Sequence, residues 1–271
     1  AKIEEVKSPY LKLRYFYLAL RLAHFKNKEP LTLYSKYKYL LDTKEHTIVK
    51  DWIQGLYAGA LVKNKQEVLG VYEFTKLFDE KIINWHLSYY NFHHIKTNEQ
   101  WNELLKLALN SDEKTKLYAI RALNENSNIL EELQNIYTID KNSKWFDFVL
   151  YRELLNTQHF FDQNPEVQRT FPFKKYIDYL KTVNKDDMYL VDLSLAYFNL
   201  YENNLNETSK ILEKLQKSHG NDHEVKTLSY ILYLHTLEKI DSKIENDVYE
   251  KMNNLIKNEE TSTSIHDYTF I

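Results

Sequence analysis

The sequence contains no cysteine, and it has only four glycines and four prolines in 271 residues. Without cysteine the chain can form no disulfide, thiolate nucleophile or thiolate metal site. So few glycines and prolines argue against a protein of many strands and tight turns, because such turns depend on these residues. No run of about 18 apolar residues occurs, so the sequence predicts no membrane-spanning helix.

A strong charge of one sign is also missing. The formal net charge is −3, which offers no general electrostatic attraction for nucleic acid. The first 28 residues are locally basic, with seven Lys and Arg against two Glu. We interpret this cluster as a solvated helix face, because a bound phosphate needs several converging cations. The start at Ala1, without Met or a signal-like apolar region, leads us to expect part of a larger chain or complex.

What the sequence does contain is long segments rich in Leu, Lys and Glu, separated by short breaks with Asn or Asp. Ser8-Pro9 predicts a helix start, with Ser as N-cap and Pro at the first helical position, and this helix should run to about Lys26. Thr97 with Gln100 predicts a capping box for a later helix. This pattern predicts an all-α fold.

The predicted helices come in pairs that repeat one register. Apolar stripes at i, i+4 and i+7 begin at Gly70, Trp101, Ile129 and Thr208 in successive second helices. The stretch Leu190–Leu215 shows the pairing most clearly, as two amphipathic helices joined at Asn203-Asn204. Paired helices at a period of about 28 to 40 residues are typical of an α-solenoid.

Two sets of four residues in these pairs resemble the tetratricopeptide repeat, a family with a small residue in its first helix and a small–large–small series in its second. The sets are Ala58/Gly70/Phe74/Leu77 and Ala196/Thr208/Leu212/Leu215. The chain departs from the family because it lacks the Trp-Leu-Gly-Tyr series of the first helix and a Pro that closes each repeat, and because several units are short. The resemblance implies a right-handed α-solenoid of about six to seven antiparallel hairpins.

The opening stretch SPYLKLRYFYLALRLAHF is similar to large helical-repeat proteins of Bacteroidetes envelopes. That similarity implies a cell-envelope or periplasmic location rather than a cytoplasmic one. Asn164-Pro165 and Phe171-Pro172 interrupt any long helix and predict a bend or boundary. We therefore expect an N-terminal array over 1–160, an irregular bend over 161–173, a C-terminal array over 174–260 and a tail over 261–271.

Aromatic residues make up 14% of the chain, with 22 Tyr, 13 Phe and 4 Trp. Core packing between hairpins explains many of them. In the tetratricopeptide register, however, several fall on exposed first-helix positions of the concave face, where aromatic and Arg side chains are typical of protein recognition. These candidate partner-binding residues are Trp52, Ile83, His86, Tyr90, His93, His94, Tyr118, Arg121, Tyr197 and Tyr201.

Three other groups of residues contain side chains that can bind metals or act in catalysis. His219 and His223 flank Gly220 in a predicted turn without an obvious third ligand. The His86, His93 and His94 group lies on one predicted helix, where a polar wall is a better interpretation than a metal site. The acidic residues Asp186, Asp187 and Asp192 lack the spacing of a magnesium–diphosphate motif and suit a helix N-terminus. We predict no cofactor and no metal.

The leading hypothesis is a non-catalytic interaction or scaffold module that binds a peptide or partner domain on its concave face, which rests largely on fold analogy. One alternative is an all-α enzyme, a toroid of helical hairpins that acts on a glycan with carboxylates and aromatic platforms. Another is a purely structural spacer within a larger protein. Nucleic acid is not an expected partner.

Overall fold

The computed structural model describes residues 2–26, 28–42, 46–79, 84–124, 126–163, 171–237, 239 and 241–259. These residues form fifteen α-helices and two short 3-10 segments, and none of them lies in a strand. The predicted all-α class is therefore confirmed. None of the described helices combines the length and apolar character needed to span a bilayer.

The chain divides into two compact units, residues 1–140 and 141–271. The α-helices of the first unit are α1 (Lys2–Glu5), α2 (Pro9–Lys26), α3 (Pro30–Tyr37), α4 (Ile48–Lys63), α5 (Glu67–Thr75), α6 (His86–Asn91), α7 (Asn98–Leu107), α8 (Ser111–Ala122) and α9 (Ile129–Ile139). The 3-10 segments are Lys38–Leu41 and Phe92–His94. Helices that follow one another in the chain, such as α4 and α5 or α8 and α9, pack together.

The local signals at the helix ends act as predicted. Helix α2 begins at Pro9 and ends at Lys26, and α3 begins at Pro30. The Thr97 side chain accepts a hydrogen bond from the backbone N–H of Gln100. In turn, the side-chain oxygen of Gln100 accepts one from the backbone N–H of Thr97. These caps satisfy backbone groups that have no partner inside the helix, which is why they can be read from sequence.

One core of the first unit forms between α2 and α4, where Phe16, Leu20 and Ile53 are fully buried. A second core forms where α4 meets α5, around Ala58 and Phe74. Gly70 lets these two helices approach closely, because a Cβ there would lie 2.6 Å from Val62 Cγ2. The predicted small-residue position at the crossing of the two helices is thus present in this hairpin.

The second unit contains α10 (Lys144–Gln163), α11 (Phe173–Leu180), α12 (Tyr189–Tyr201), α13 (Leu205–His219), α14 (His223–His235) and α15 (Ser242–Glu259). Helix α12 packs against α10, α11, α13 and α14. As a result, every residue from 193 to 200 is buried. Most of the predicted bend at 161–173 and the predicted tail lie outside the described residues, so both stay predictions.

The α4–α5 and α12–α13 hairpins share one turn. Lys65 and Asn203 have positive φ values of 61° and 60°, the left-handed conformation that often ends a helix. The backbone N–H after each donates to a carbonyl five residues earlier, Gln66 to Leu61 at 3.0 Å and Asn204 to Asn199 at 2.8 Å. The two hairpins therefore share the geometry of their turn, although α5 ends at Thr75 and α13 continues to His219.

Candidate protein-binding surface

Four of the predicted partner-binding residues lie on α6 and on the 3-10 segment that follows it. Ser88 anchors this segment, since its buried hydroxyl donates a hydrogen bond of 2.5 Å to the Phe74 carbonyl. Leu87 packs close to Gly55 on α4. With Ser88 and Leu87 directed into the unit, the other side of α6 carries the exposed Tyr90.

A group of six rings, two of them exposed and four half-buried, lies along α6 and the residues next to it, and we call it the α6 surface. It consists of Trp85, His86, Tyr89, Tyr90, His93 and His94. Tyr90 is 64% exposed, with ring centroids 6.0 Å from His86 and 5.5 Å from Tyr89. Trp85 and Tyr89 are not among the predicted residues, although both are aromatic neighbours of residues that are.

The two histidines after α6 are held close together. Their ring centroids are 4.2 Å apart, and Nδ1 of His93 hydrogen-bonds to the Tyr90 carbonyl oxygen. Because a carbonyl only accepts, Nδ1 of His93 carries the proton, and Nε2 is the acceptor when the ring is neutral. Burial lowers the pKa of His94, and the nearby His93 and Lys96 lower it further while Glu67 opposes them.

The prediction that one helix carries His86 and His93 is wrong. The α-helix ends at Asn91, and His93 follows in a 3-10 turn, whose different winding changes the relative direction of the two side chains. In the described part of the chain, no three His, Asp or Glu side chains are grouped to hold a metal ion.

Tyr118 and Arg121 belong to a separate cluster on α8. The guanidinium carbon of Arg121 lies 4.0 Å from the Trp101 ring centroid and 5.0 Å from that of Tyr118. Arg121 also forms a two-point ion pair with the buried Glu132. Burial raises the pKa of Tyr118, an effect that Arg121 opposes and Glu132 reinforces. Arg121 therefore holds α7, α8 and α9 together instead of standing free in a groove.

Trp52 lies at the edge of the core between α2 and α4, where its ring centroid is 5.2 Å from that of Tyr17. It is half-buried. Ile83 falls outside the described residues. Trp52 is not part of the group of rings on α6 described above.

The two candidates of the second unit belong to its aromatic core. Tyr197 is only 9% exposed, so its predicted exposure is wrong. The physical reason is that α12 is covered by four other helices, which leaves no open side along this stretch. Tyr201 is half-buried and stacks on Phe173, with ring centroids 5.6 Å apart and planes 10° apart.

The acidic residues weighed for magnesium binding lie at the start of α12, as predicted. Asp187 accepts a hydrogen bond from the backbone N–H of Tyr189 at 2.9 Å. Asp186 pairs with Asn142, and Asp192 pairs with Lys214 at 2.6 Å. Asp187 thus stabilises the N-terminus of α12, while Asp186 and Asp192 are engaged by side chains distant in sequence.

Two carboxylates that the sequence did not single out are buried and engaged by other groups. Glu73 accepts hydrogen bonds from Gln54 at 2.6 Å and from Lys76 at 2.8 Å. Glu153 accepts a hydrogen bond of 2.7 Å from the Tyr176 hydroxyl, and burial raises its pKa. The two lie in different units. Helical spacing indicates the Glu73–Lys76 pair, whereas Gln54 and Tyr176 come from other helices and cannot be inferred from spacing.

Comparisons of the chain with models of protein families, with curated proteins and with solved structures gave no match.

Proposed function

We propose that this protein is a non-catalytic interaction module that binds a peptide or partner domain through the α6 surface. The observation that carries the proposal is Tyr90, a large aromatic side chain that is 64% exposed and stands beside the rings of His86 and Tyr89. An exposed aromatic group on a rigid helix is typical of protein-binding hot spots.

The chemistry of the surface suits peptide recognition. Tyr90 offers an aromatic face and a hydroxyl, and the neutral ring of His93 offers an acceptor at Nε2. Because Ser88 and Leu87 anchor the segment to its unit, little side-chain and backbone freedom would be lost on binding. We infer that the partner contributes apolar groups and hydrogen-bond donors to this surface.

The proposal includes the architecture, a tetratricopeptide-like right-handed α-solenoid of about six to seven hairpins. It is supported by the equivalent turns at Lys65 and Asn203 and by the small residues Ala58 and Ala196, both fully buried. Contacts between helices two apart in the chain, such as α5 with α7 and α12 with α14, also support it. Stacked hairpins place first helices side by side, as α-solenoids do to form a binding face.

The test is site-specific photo-crosslinking in extracts of cells that produce the protein. A photoreactive phenylalanine analogue replaces Tyr90 in one sample and Tyr39 in another. Tyr39 is 56% exposed in the same unit and lies outside the α6 surface. We expect a discrete adduct from position 90 that Tyr39 does not give and that His93→Ala weakens. The absence of such an adduct, or the same adducts from both positions, would contradict the proposal and favour a structural spacer.

A further inference from the structure

Helix α2 carries two apolar stripes on opposite sides. One stripe is buried and consists of Leu13, Phe16, Leu20 and Ala23. The other, which we call the outer stripe, consists of Leu11, Tyr15, Leu18, Leu22 and Phe25. Its five side chains are between 36% and 71% exposed. A solvent-facing side of a helix is normally polar, so a complete second stripe needs a separate explanation.

The outer stripe has the spacing of a coiled-coil seam. Its members are separated alternately by four and three residues, so Tyr15 and Leu22 take heptad position a, and Leu11, Leu18 and Phe25 take position d. At about 100° per residue, the five side chains fall within about 80° of the helix circumference. They extend over about 21 Å along the axis. Such a narrow, straight seam matches one partner helix.

Cations flank this seam on both sides. Between residues 6 and 28 the chain has six Lys and Arg and no Asp or Glu. Arg14 and Arg21 occupy the g positions, and Lys12 and Lys26 occupy e positions. No described residue forms an ion pair with Arg14, Arg21 or Lys26.

A further cation reaches the seam from the neighbouring helix. Nζ of Lys63, on α4, lies 5.9 Å from the ring centroid of Phe25. The positive charge around the outer stripe therefore comes from two helices, α2 and α4. The nearest acidic residues along the chain, Glu5 and Glu29, lie beyond the two ends of the stripe.

We propose that the outer stripe of α2 docks an amphipathic helix of a partner protein that carries apolar residues at its a and d positions and acidic residues at e and g. Charge complementarity along both edges selects this partner. A second copy of α2 is disfavoured, because its e and g cations would face those of the first copy in either orientation. An anionic membrane surface fits less well, because interfacial helices present a broader apolar face than this a/d seam.

The experiment uses the 271-residue chain and two synthetic peptides of three heptads, both with Leu at a and d. One peptide has Glu at e and g, and the other has Lys at these positions. Binding is followed by fluorescence anisotropy at low and high salt. We expect the Glu peptide to bind at least about tenfold more tightly than the Lys peptide, with a difference that shrinks as salt is raised.

Variants connect this binding to the stripe. Leu18→Ser combined with Leu22→Ser should weaken binding of the Glu peptide at least about tenfold, since it removes central seam contacts. Because both leucines are exposed, the variant should have the same helical circular dichroism spectrum as the unchanged protein. Leu109→Ser is the matched control, an 83% exposed leucine of the same unit outside the stripe, and should leave binding unchanged.

Reversing the charge of two residues beside the seam is the most direct test of charge complementarity. Arg14→Glu combined with Arg21→Glu should abolish the preference for the Glu peptide, because Lys12 and Lys26 still favour Glu at one edge of the seam while the new carboxylates favour Lys at the other. Equal binding of both peptides by the unchanged protein would overturn the proposal. So would self-association that the Leu18→Ser, Leu22→Ser variant abolishes, or binding to anionic phospholipid vesicles with no binding of the Glu peptide. This proposal does not involve the α6 surface, so either one can fail alone.

Discussion

Arg121 lies against Trp101, with its guanidinium carbon 4.0 Å from the ring centroid, while Nε donates to the Oε1 atom of Glu132 at 2.7 Å. The cation therefore connects an aromatic ring of α7 to a carboxylate of α9. Ser127 adds a hydrogen bond of 3.2 Å to the same Glu132 oxygen. Since Glu132 is only 4% exposed, these partners replace the water that would otherwise surround its carboxylate.

Replacing Arg121 with Ala should therefore destabilise the first unit by about 3 kcal/mol, because it leaves a buried carboxylate without its counter-ion. Urea denaturation would measure the loss. Lys210→Ala provides the comparison, because Lys210 pairs with Glu207 at the surface at 3.5 Å. Exposed pairs contribute at most about 1 kcal/mol. Equal, small effects of the two substitutions would contradict the structural role of Arg121.

Gly70→Ala should destabilise the first unit by about 1–3 kcal/mol, although Ala favours a helix more than Gly does. The added Cβ would lie 2.6 Å from Val62 Cγ2 and 3.0 Å from the Ala58 carbonyl oxygen. The matched variant is Gly55→Ala, whose Cβ would meet the flexible end of Leu87 at 3.3 Å. Thermal melting should show a loss for Gly70→Ala and a much smaller change, or a gain, for Gly55→Ala.

Leu212→Ala should cost about 2–5 kcal/mol of the unfolding free energy, because Leu212 on α13 is buried and its truncation leaves a cavity. Tyr90→Ala and His93→Ala should each cost less than about 1 kcal/mol, as exposed substitutions usually do. Chemical denaturation of the three variants would test this order. A large loss for Tyr90→Ala would mean that its ring supports the fold.

The buried carboxyl of Glu153 should make the stability of the second unit depend on pH. Burial raises its pKa above the ordinary value of 4.5, so the folded state holds this proton more firmly than the unfolded state does. The contribution of Glu153 to stability is therefore present below pH 4.5 and is lost as pH rises through the raised pKa.

Glu153→Gln isolates this effect, since Gln keeps an acceptor for the Tyr176 hydroxyl and cannot ionise. We expect the variant to have a higher urea midpoint than the unchanged protein at pH 8. The difference should shrink or reverse as pH falls toward 4.5. A constant difference across this range would contradict the assignment of the pH dependence to Glu153.

The exposure of individual aromatic residues was only partly predictable. The expected order, with Tyr90, His93 and Tyr118 more exposed than Phe74, Trp101 and Leu212, is confirmed. Tyr197 does not fit the expectation that first-helix aromatic residues are exposed. Both Tyr90 and Tyr197 are tyrosines on predicted first helices, yet α6 has an open side and α12 has none.

The amino-acid sequence by itself determined the helices, their caps and the pairing of α4 with α5 and of α12 with α13. Helical period, Ser8-Pro9, the Thr97 capping box and the turn at Asn203 act between residues a few positions apart, so their effect can be read locally. Only the tertiary structure decided which apolar stripe of α2 is covered and that Glu132 engages Arg121. Burial and ion pairing depend on which other helix arrives at a surface, and that follows from the packing of the whole unit.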